Sequence, residues 1–266
     1  MIINVPEIDP VALSFSFIKI RWYSLAYIFG IIFTFLFIKY HNKKTQILTP
    51  KALDDWMVYA ILSIILGGRL GYIIFYNPAY FIKNPLEILA FWHGGMSFHG
   101  GLLGASVGMW FFTKKYQIDF WKMCDVLGVS APFGLMCGRI ANFINLELYG
   151  RPTSGNFGFI FPNSDGIPRH PSQLYEACLE GFLLLLVMTF CYFKTNYVNY
   201  PKKLTGIFLT GYGISRFIVE YFREPDSQIG LFFNLISMGQ ILSLPIIFLG
   251  YWLILTSSNK HGIIFK

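Results

Sequence analysis

The sequence predicts an all-α integral membrane protein, a bundle of about seven transmembrane helices with a small extracytoplasmic head. Composition is the first reason, because 55% of the 266 residues are hydrophobic and only 13% are charged, against roughly 25% in soluble domains. The second is that apolar residues gather in runs of about 20, the length that crosses a bilayer. Disordered chains have the opposite composition, and four cysteines are too few for a secreted disulfide scaffold.

Charged residues separate the apolar runs from one another. In chain order the predicted spans are Trp22–Ile38, Trp56–Tyr76, Gly94–Thr113, Met123–Phe143, Tyr175–Phe193, Leu204–Phe222 and Gly230–Thr256. The longest separation, Ile144–Leu174, is rich in Gly, Pro, Asn, Ser and Arg, a composition typical of turns. We therefore expect a single transmembrane domain over residues 1–266, with the head at about 144–174.

Glycines four residues apart mark the second, third and fourth spans. Small residues at this interval let helix backbones approach closely in lipid, so they predict helix packing rather than chemistry. The sets are Gly67–Gly71, Gly100–Gly104–Gly108 and Gly134–Gly138.

The distribution of lysine predicts the orientation. Twelve lysines and no arginine lie after the first, third and fifth spans and in the C-terminal segment, whereas the opposite side has six basic residues. Since cytoplasmic loops are enriched in Lys and Arg, we expect the N-terminus outside and the C-terminus in the cytoplasm.

Ionisable residues also occur within or beside the apolar runs. A charge at mid-bilayer costs about 2.5–3.5 kcal/mol even on the gentlest scale, so such residues face a polar cavity or one another. The set is Arg69, His99, Arg139, Glu147, Glu176, Glu180, Arg216 and Glu220.

The sixth span carries a polar stripe on one helical face. Tyr212, Arg216, Glu220 and Arg223 are spaced i, i+4, i+8 and i+11. Arg216 and Glu220 are one turn apart and can form an ion pair. By itself, the stripe fits a structural pair and a substrate site equally well.

The fourth span ends with Arg139 and Asn142 on one face. The planar fork of arginine binds phosphate through two parallel hydrogen bonds, which lysine cannot do. All seven arginines lie outside the lysine-rich connections. We therefore expect an anionic group to be bound near the outer leaflet.

One histidine, His99, lies between two glycine pairs, Gly94-Gly95 and Gly100-Gly101. Glycines let a backbone approach a ligand closely, and a neutral imidazole can take up a proton near pH 7. The alternative interpretation is a histidine hydrogen-bonded inside the bundle.

Several recognisable chemistries are missing from the sequence. It has no cysteine–histidine pattern at metal-ligand spacing, no P-loop and no dinucleotide fingerprint. We expect no metal and no cofactor. The basic balance is accounted for by cytoplasmic lysines, so nucleic acid is not indicated.

The segment Gly138–Gly150, GRIANFINLELYG, is similar to the signature of the bacterial prolipoprotein diacylglyceryl transferase family. Other blocks resemble that family in the same order, from Trp22-Tyr23 to Gln240, over most of the chain. The segment between Gly150 and His170 is shorter than in some members. The further blocks are Gly67–Tyr72, Gly94–Gly104, His170–Glu176, Arg216–Asp226 and Ser237–Gln240.

The resemblance implies transfer of the diacylglyceryl group of phosphatidylglycerol to the lipobox cysteine of a prolipoprotein signal peptide, with release of glycerol phosphate. For this chemistry a thiol must lose its proton and an anionic phosphate must be held, so we expect His99 to be the thiol base and Arg139 with Arg216 to hold the phosphate. Glu220 is expected to hold the Arg216 fork and Glu147 an arginine on the outer side. The implied substrate-binding residues are Tyr23, Arg139, Asn142, Glu147, Gly150, Tyr212 and Glu220.

The implied location is the bacterial cytoplasmic membrane, with the active site towards the outer leaflet. The expected partners are phosphatidylglycerol, the prolipoprotein and membrane lipids. The competing function is a transporter or flippase that binds a lipid headgroup without bond chemistry. A membrane scaffold with structural ion pairs is the third possibility, although it leaves the avoidance of cytoplasmic loops by arginine unexplained.

Overall fold

The computed structural model describes residues 1–15, 18–90, 94–155, 157–162, 164–224, 231–232 and 235–258. Long helices dominate this part of the chain. The α-helices are α1 (Trp22–Thr45), α2 (Pro50–Tyr76), α3 (Pro78–Lys83), α4 (Phe98–Tyr116), α5 (Phe120–Ile144), α6 (Ser172–Glu176), α7 (Leu184–Lys194), α8 (Lys203–Val219) and α9 (Met238–Thr256). A π-helical segment (Ala177–Leu183) joins α6 to α7, and short 3₁₀ helices cover Pro85–Leu89 and Tyr197–Asn199.

Each predicted span coincides with a long helix, although several ends differ. Helix α2 begins at Pro50, six residues before the predicted start, because Thr49 caps it by accepting a hydrogen bond from the Ala52 N–H. Helix α9, which coincides with the seventh predicted span, begins only at Met238, where Ser237 and Gln240 form a capping box. The predicted span from Gly230 was therefore too long at its start.

Within the described part of the chain, five helices are long and apolar enough to cross a membrane: α1, α2, α5, the continuous helix Ser172–Lys194, and α9. This finding confirms an all-α membrane protein. Helix α8 has 17 residues, and α4 includes His99, Lys114 and Lys115, so neither belongs to that set. The count of seven spans stays a prediction.

Short strands accompany the helices. They are β1 (Ile2–Asn4), β2 (Val11–Phe15), β3 (Ile18–Arg21), β4 (Gly158–Ile160), β5 (Leu231–Phe232) and β6 (Ile236–Ser237). They form three two-stranded sheets: β1 with β4 in parallel, and β2 with β3 and β5 with β6 antiparallel.

The chain divides into two compact units. The first unit comprises Met1–Ile38 and Cys124–Lys266, and the second comprises Lys39–Met123. The second unit is built on α2 packed against α4. A methyl group added to Gly67 would lie 2.6 Å from Gly104 Cα, and one added to Gly71 would lie 2.6 Å from Gly100 Cα. The two backbones are therefore in direct contact, as the glycine spacing predicts.

The predicted head belongs to the first unit, and it is more ordered than a series of turns. Strand β4 pairs with β1 in the register Ile2 to Gly158 and Asn4 to Ile160. Beneath it, Val5, Leu146 and Phe161 form a small buried apolar cluster. Strand pairing with the N-terminal segment therefore anchors this connection, a long-range contact that its composition did not indicate.

Candidate functional site

Three arginines and three glutamates form an ionic cluster inside the first unit. Helix α5 contributes one member, the helix from α6 through the π segment contributes two, and α8 with the turn after it contributes three. Because the helices are otherwise apolar, these groups have one another as their charge partners. The members of the ionic cluster are Arg139, Glu176, Glu180, Arg216, Glu220 and Arg223.

Glu176 lies at the centre of the cluster. Its Oε1 accepts a hydrogen bond from Arg216 Nη1 and a second one, at 3.2 Å, from Arg223 Nη1. Its Oε2 lies 3.1 Å from Arg139 Nη1, an ion pair that lacks the angle of a hydrogen bond. One carboxylate thus fixes three guanidinium groups, and removing it would leave like charges beside one another.

The arginines and the glutamates differ in exposure. The side chains of Arg139, Arg216 and Arg223 are 19%, 16% and 15% exposed. Those of Glu176 and Glu180 are 0% exposed and that of Glu220 is 6% exposed. The carboxylates therefore form a buried layer, and the arginine side chains are the partly exposed members of the cluster. This arrangement presents hydrogen-bond donors and positive charge to an anion.

Arg139 is held from two positions on the same helix. Its Nη2 donates to Glu180 Oε2 at 3.3 Å, and its Nη1 faces Glu176. Glu180 lies in the π-helical segment, an irregularity that is frequent at functional sites. Arg139 is therefore fixed by two carboxylates, one on each terminal nitrogen of its fork.

Glu220 secures Arg216, as the i, i+4 spacing predicts. Its Oε2 lies 2.8 Å from Arg216 Nη2. The Glu220 carboxylate also packs against Gly239, where an added methyl group would lie 2.6 Å from Oε1. Gly239 is the second residue of α9, so the carboxylate lies at the positive end of that helix.

Asn142 and Glu147 meet at the end of α5. The buried Asn142 donates through Nδ2 to Glu147 Oε1 at 2.9 Å, and Asn145 Nδ2 donates to the same oxygen at 3.4 Å. No arginine contacts Glu147 among the residues that the structure describes. The expectation that Glu147 holds an outer-side arginine was wrong, because the turn after α5 places two amide groups on its carboxylate first.

Gly150 occupies a position where no side chain fits. Its N–H donates to the His170 carbonyl at 2.8 Å, and it forms an isolated bridge with Arg223. An added methyl group would lie 2.6 Å from the His170 oxygen. Gly150 therefore ties the head to the turn that carries Arg223, and its direct effect is on backbone position.

Charged and aromatic contacts of Arg169 and His170 hold the head in place beside Gly150. Arg169 donates to Asp165 Oδ2 at 2.7 Å and to Glu224 Oε2 at 2.5 Å. These hydrogen bonds lower the pKa of Asp165 and raise that of Arg169. Burial beside Tyr175 and Phe222 lowers the pKa of His170, because desolvation disfavours the imidazolium form.

The two predicted tyrosines lie around Arg139 in different ways. Tyr212, on α8, interacts electrostatically with Arg139 and with Glu180. Tyr23, at the start of α1, packs edge-on against Tyr27, with ring centroids 5.2 Å apart. Tyr27 in turn interacts electrostatically with Arg139, so Tyr23 reaches the cluster through a neighbour.

His99 belongs to the second unit, in the first turn of α4, where its side chain is exposed. Ser97 caps the helix by accepting a hydrogen bond from the Gly100 N–H at 3.2 Å, and the Ser97 N–H donates to the Gly68 carbonyl at 2.9 Å. Both interpretations of His99, a proton acceptor and a histidine hydrogen-bonded inside the bundle, stay predictions.

Arg69, the remaining arginine of an apolar run, has a structural position in the second unit. It is buried, and it donates to five backbone carbonyls of the segment that leads to His99. Its fork is therefore saturated by the protein itself, unlike those of the ionic cluster. The accepting carbonyls are those of Glu87, Ile88, Ala90, Gly94 and Gly95.

Sequence reasoning did not assign the two carboxylates that organise the cluster. Glu176 and Glu180 were recognised as ionisable residues of an apolar run, but their arginine partners lie 37 to 47 residues away in sequence. Arg223 was counted as an outer-side charge. The available signal was the i, i+4 repeat of carboxylates in the fifth span, which places both on one face opposite the arginines.

The first unit therefore combines membrane-type helices with a cluster of buried carboxylates paired to partly exposed arginines. Residues 10–256 match the family described as prolipoprotein diacylglyceryl transferase. The chain belongs to this family.

Curated relatives agree over nearly the full length. A phosphatidylglycerol–prolipoprotein diacylglyceryl transferase of Rickettsia rickettsii (strain Sheila Smith) is 48% identical over 260 residues, which cover 96% of this chain and 99% of the relative. The proteins of the same name from Rickettsia conorii and Rickettsia typhi are 47% and 45% identical, with the same shares covered.

Proposed function

We propose that this protein transfers the diacylglyceryl group of phosphatidylglycerol to the cysteine thiol of a prolipoprotein. The relatives that match 96% of the chain carry the name of this transferase. The observation that supports it most directly is the layered ionic cluster, in which Arg139 and Arg216 are oriented by buried carboxylates and are themselves partly exposed. A phosphodiester is the anion that this donor set suits.

The reaction joins the thiol sulfur to the carbon of the diacylglyceryl group that carries the phosphate, and it breaks the bond from that carbon to the phosphate oxygen. Glycerol phosphate leaves, and the thiol proton balances the charge on its oxygen. A thiol with a pKa near ~8.5 reacts as the thiolate, and we assign its deprotonation to His99. Arg139 and Arg216 stabilise the negative charge that grows on the leaving phosphate.

The remaining residues position the lipid. Asn142 orients a phosphate or glycerol oxygen, and Glu147 fixes the Asn142 amide. Glu220 fixes Arg216, and Gly150 keeps the backbone beside Arg223 close. Tyr23 and Tyr212 provide phenol groups at the level of the headgroup, where tyrosine is favoured.

The proposed location is the bacterial cytoplasmic membrane, with a multi-pass chain whose N-terminus is outside and whose C-terminus is cytoplasmic. The lysine distribution supports this orientation. The head at about 144–174 and the arginines would then lie on the outer side. There the protein would meet its proposed partners, phosphatidylglycerol in the surrounding lipids and a signal peptide with a lipobox cysteine.

The test is to incubate the purified protein with labelled phosphatidylglycerol and a lipobox peptide, and to search for a thioether-linked lipid on the cysteine. A peptide with serine in place of the cysteine is the matched control, and it should give no product. Lipid binding or lipid movement between leaflets without any thioether product would refute the transferase and favour the headgroup transporter.

A further inference from the structure

Glu180 is a fully buried carboxylate of the ionic cluster with a single ion pair. Its Oε2 accepts a single hydrogen bond, from Arg139 at 3.3 Å, and its Oε1 is buried without a hydrogen-bond donor. Glu176, by contrast, contacts three guanidinium groups. A buried carboxylate with one partner is left as an isolated charge when that partner binds something else, which is strongly unfavourable.

Glu220 differs from Glu180 although each has one arginine partner. It lies 2.8 Å from Arg216, and its carboxylate packs against Gly239 at the start of the 19-residue helix α9. The positive end of a helix dipole stabilises an anion there. Glu220 therefore keeps a compensating field that Glu180 lacks.

The groups that face Glu180 come from three elements. Arg139 faces it from α5, Arg216 and Tyr212 from α8, and Glu176 lies one turn earlier on its own helix. With every member ionised, the three guanidinium and three carboxylate groups of the cluster have no net charge. A bound phosphodiester adds one negative charge to these buried surroundings.

We infer that Glu180 takes up a proton when a lipid phosphate binds Arg139, and thereby determines how strongly Arg139 holds that phosphate. The inference rests on the proposed function for the identity of the lipid. Once the phosphate engages the Arg139 fork, an ionised Glu180 would be a second buried negative charge, and Oε1 is the free position for the proton. When Glu180 is neutral, it no longer compensates the positive charge of Arg139, so Arg139 attracts the phosphate more strongly. Glu180 acts through Arg139, so it is a positioning residue.

The first experiment needs no variant. Binding of phosphatidylglycerol is measured by titration calorimetry with the purified protein in phosphatidylcholine nanodiscs, in two buffers that differ in their heat of ionisation, between about pH 5.5 and 8.5. A phosphodiester does not titrate in this range. We expect uptake of up to about one proton per lipid, with affinity falling by up to about tenfold per pH unit as pH rises. Binding without proton uptake across the range would overturn the inference.

The second experiment uses Glu180→Gln, which keeps the shape and one acceptor oxygen but cannot ionise. We expect its affinity at high pH to equal that of the unchanged protein at low pH, with no pH slope. Glu7→Gln, an exposed carboxylate, is the matched control and should keep the slope. A slope that persists in Glu180→Gln would contradict the inference.

Thioether formation is measured separately on the same preparations. Product formation without proton-linked binding refutes only the role of Glu180. Proton-linked lipid binding without any thioether product refutes the proposed transferase and leaves the role of Glu180 standing.

Discussion

Replacing Arg139 with lysine tests the fork geometry of the ionic cluster. Arg139 reaches Glu176 through Nη1 at 3.1 Å and Glu180 through Nη2 at 3.3 Å. The single ammonium of lysine cannot make both contacts in that geometry and cannot bind a phosphate through two parallel hydrogen bonds. The charge is kept, so we expect the protein to fold.

The expected loss is one charge-assisted hydrogen bond to the leaving phosphate, which is worth about 1.5–3 kcal/mol. Since about 1.4 kcal/mol corresponds to tenfold in rate, Arg139→Lys should slow transfer by roughly tenfold to a hundredfold. The assay follows thioether formation from labelled phosphatidylglycerol and a lipobox peptide, after thermal unfolding in detergent has shown that the variant is folded.

Arg21→Lys is the matched control, because Arg21 is exposed on β3, away from the ionic cluster in sequence. Its transfer rate should be unchanged. A folded Arg139→Lys protein with the rate of the unchanged protein would refute the phosphate-holding role, because it would show that a point charge suffices at that position.

Three further predictions concern the second unit and the head. Gly67→Ala should destabilise the protein by about 1–3 kcal/mol, because the new methyl group would lie 2.6 Å from the α4 backbone. The control is Gly101→Ala, whose methyl group has its nearest neighbour at 3.7 Å and should change the unfolding free energy little. Equal losses in the two variants would contradict the backbone contact. His99→Gln should slow transfer most at low pH, where unassisted thiolate is scarcest, and a normal rate at every pH would refute the role of His99 as base. Burial lowers the pKa of His170 in the folded state. The contribution of His170 to stability is therefore present above the unfolded pKa of about 6.5 and is lost as pH falls through the lower folded pKa. His170→Gln should flatten that part of the curve of unfolding free energy against pH, and an unchanged slope would contradict this prediction.

Local patterns predicted the parts of the molecule that depend on neighbours along one helix. The pairing of Arg216 with Glu220 followed from a spacing of four residues, and the contact of Gly67 with α4 followed from the glycine interval. Both depend on helical periodicity, which sequence displays directly. The start of α9 was misplaced because β6 precedes the capping box at Ser237.

Contacts across the fold were beyond those patterns. The predicted arginine partner of Glu147 was wrong, since the turn after α5 brings the Asn142 amide to the Glu147 carboxylate. The central position of Glu176 depends on arginines from two other helices, 37 and 40 residues away. The periodicity of one helix does not indicate which face of a distant helix will pack against it, so the central position of Glu176 in the cluster was not predicted.

The sequence alone determined the membrane class, the approximate positions of the long helices and the family, because hydrophobic run length and an ordered set of motifs are properties of the chain itself. The tertiary structure decided which charges compensate one another. It placed Glu176 and Glu180 as a buried layer under Arg139 and Arg216, and it saturated Arg69 with backbone carbonyls in the second unit. The physical reason is that the cost of a charge in an apolar bundle is set by the groups that surround it in space.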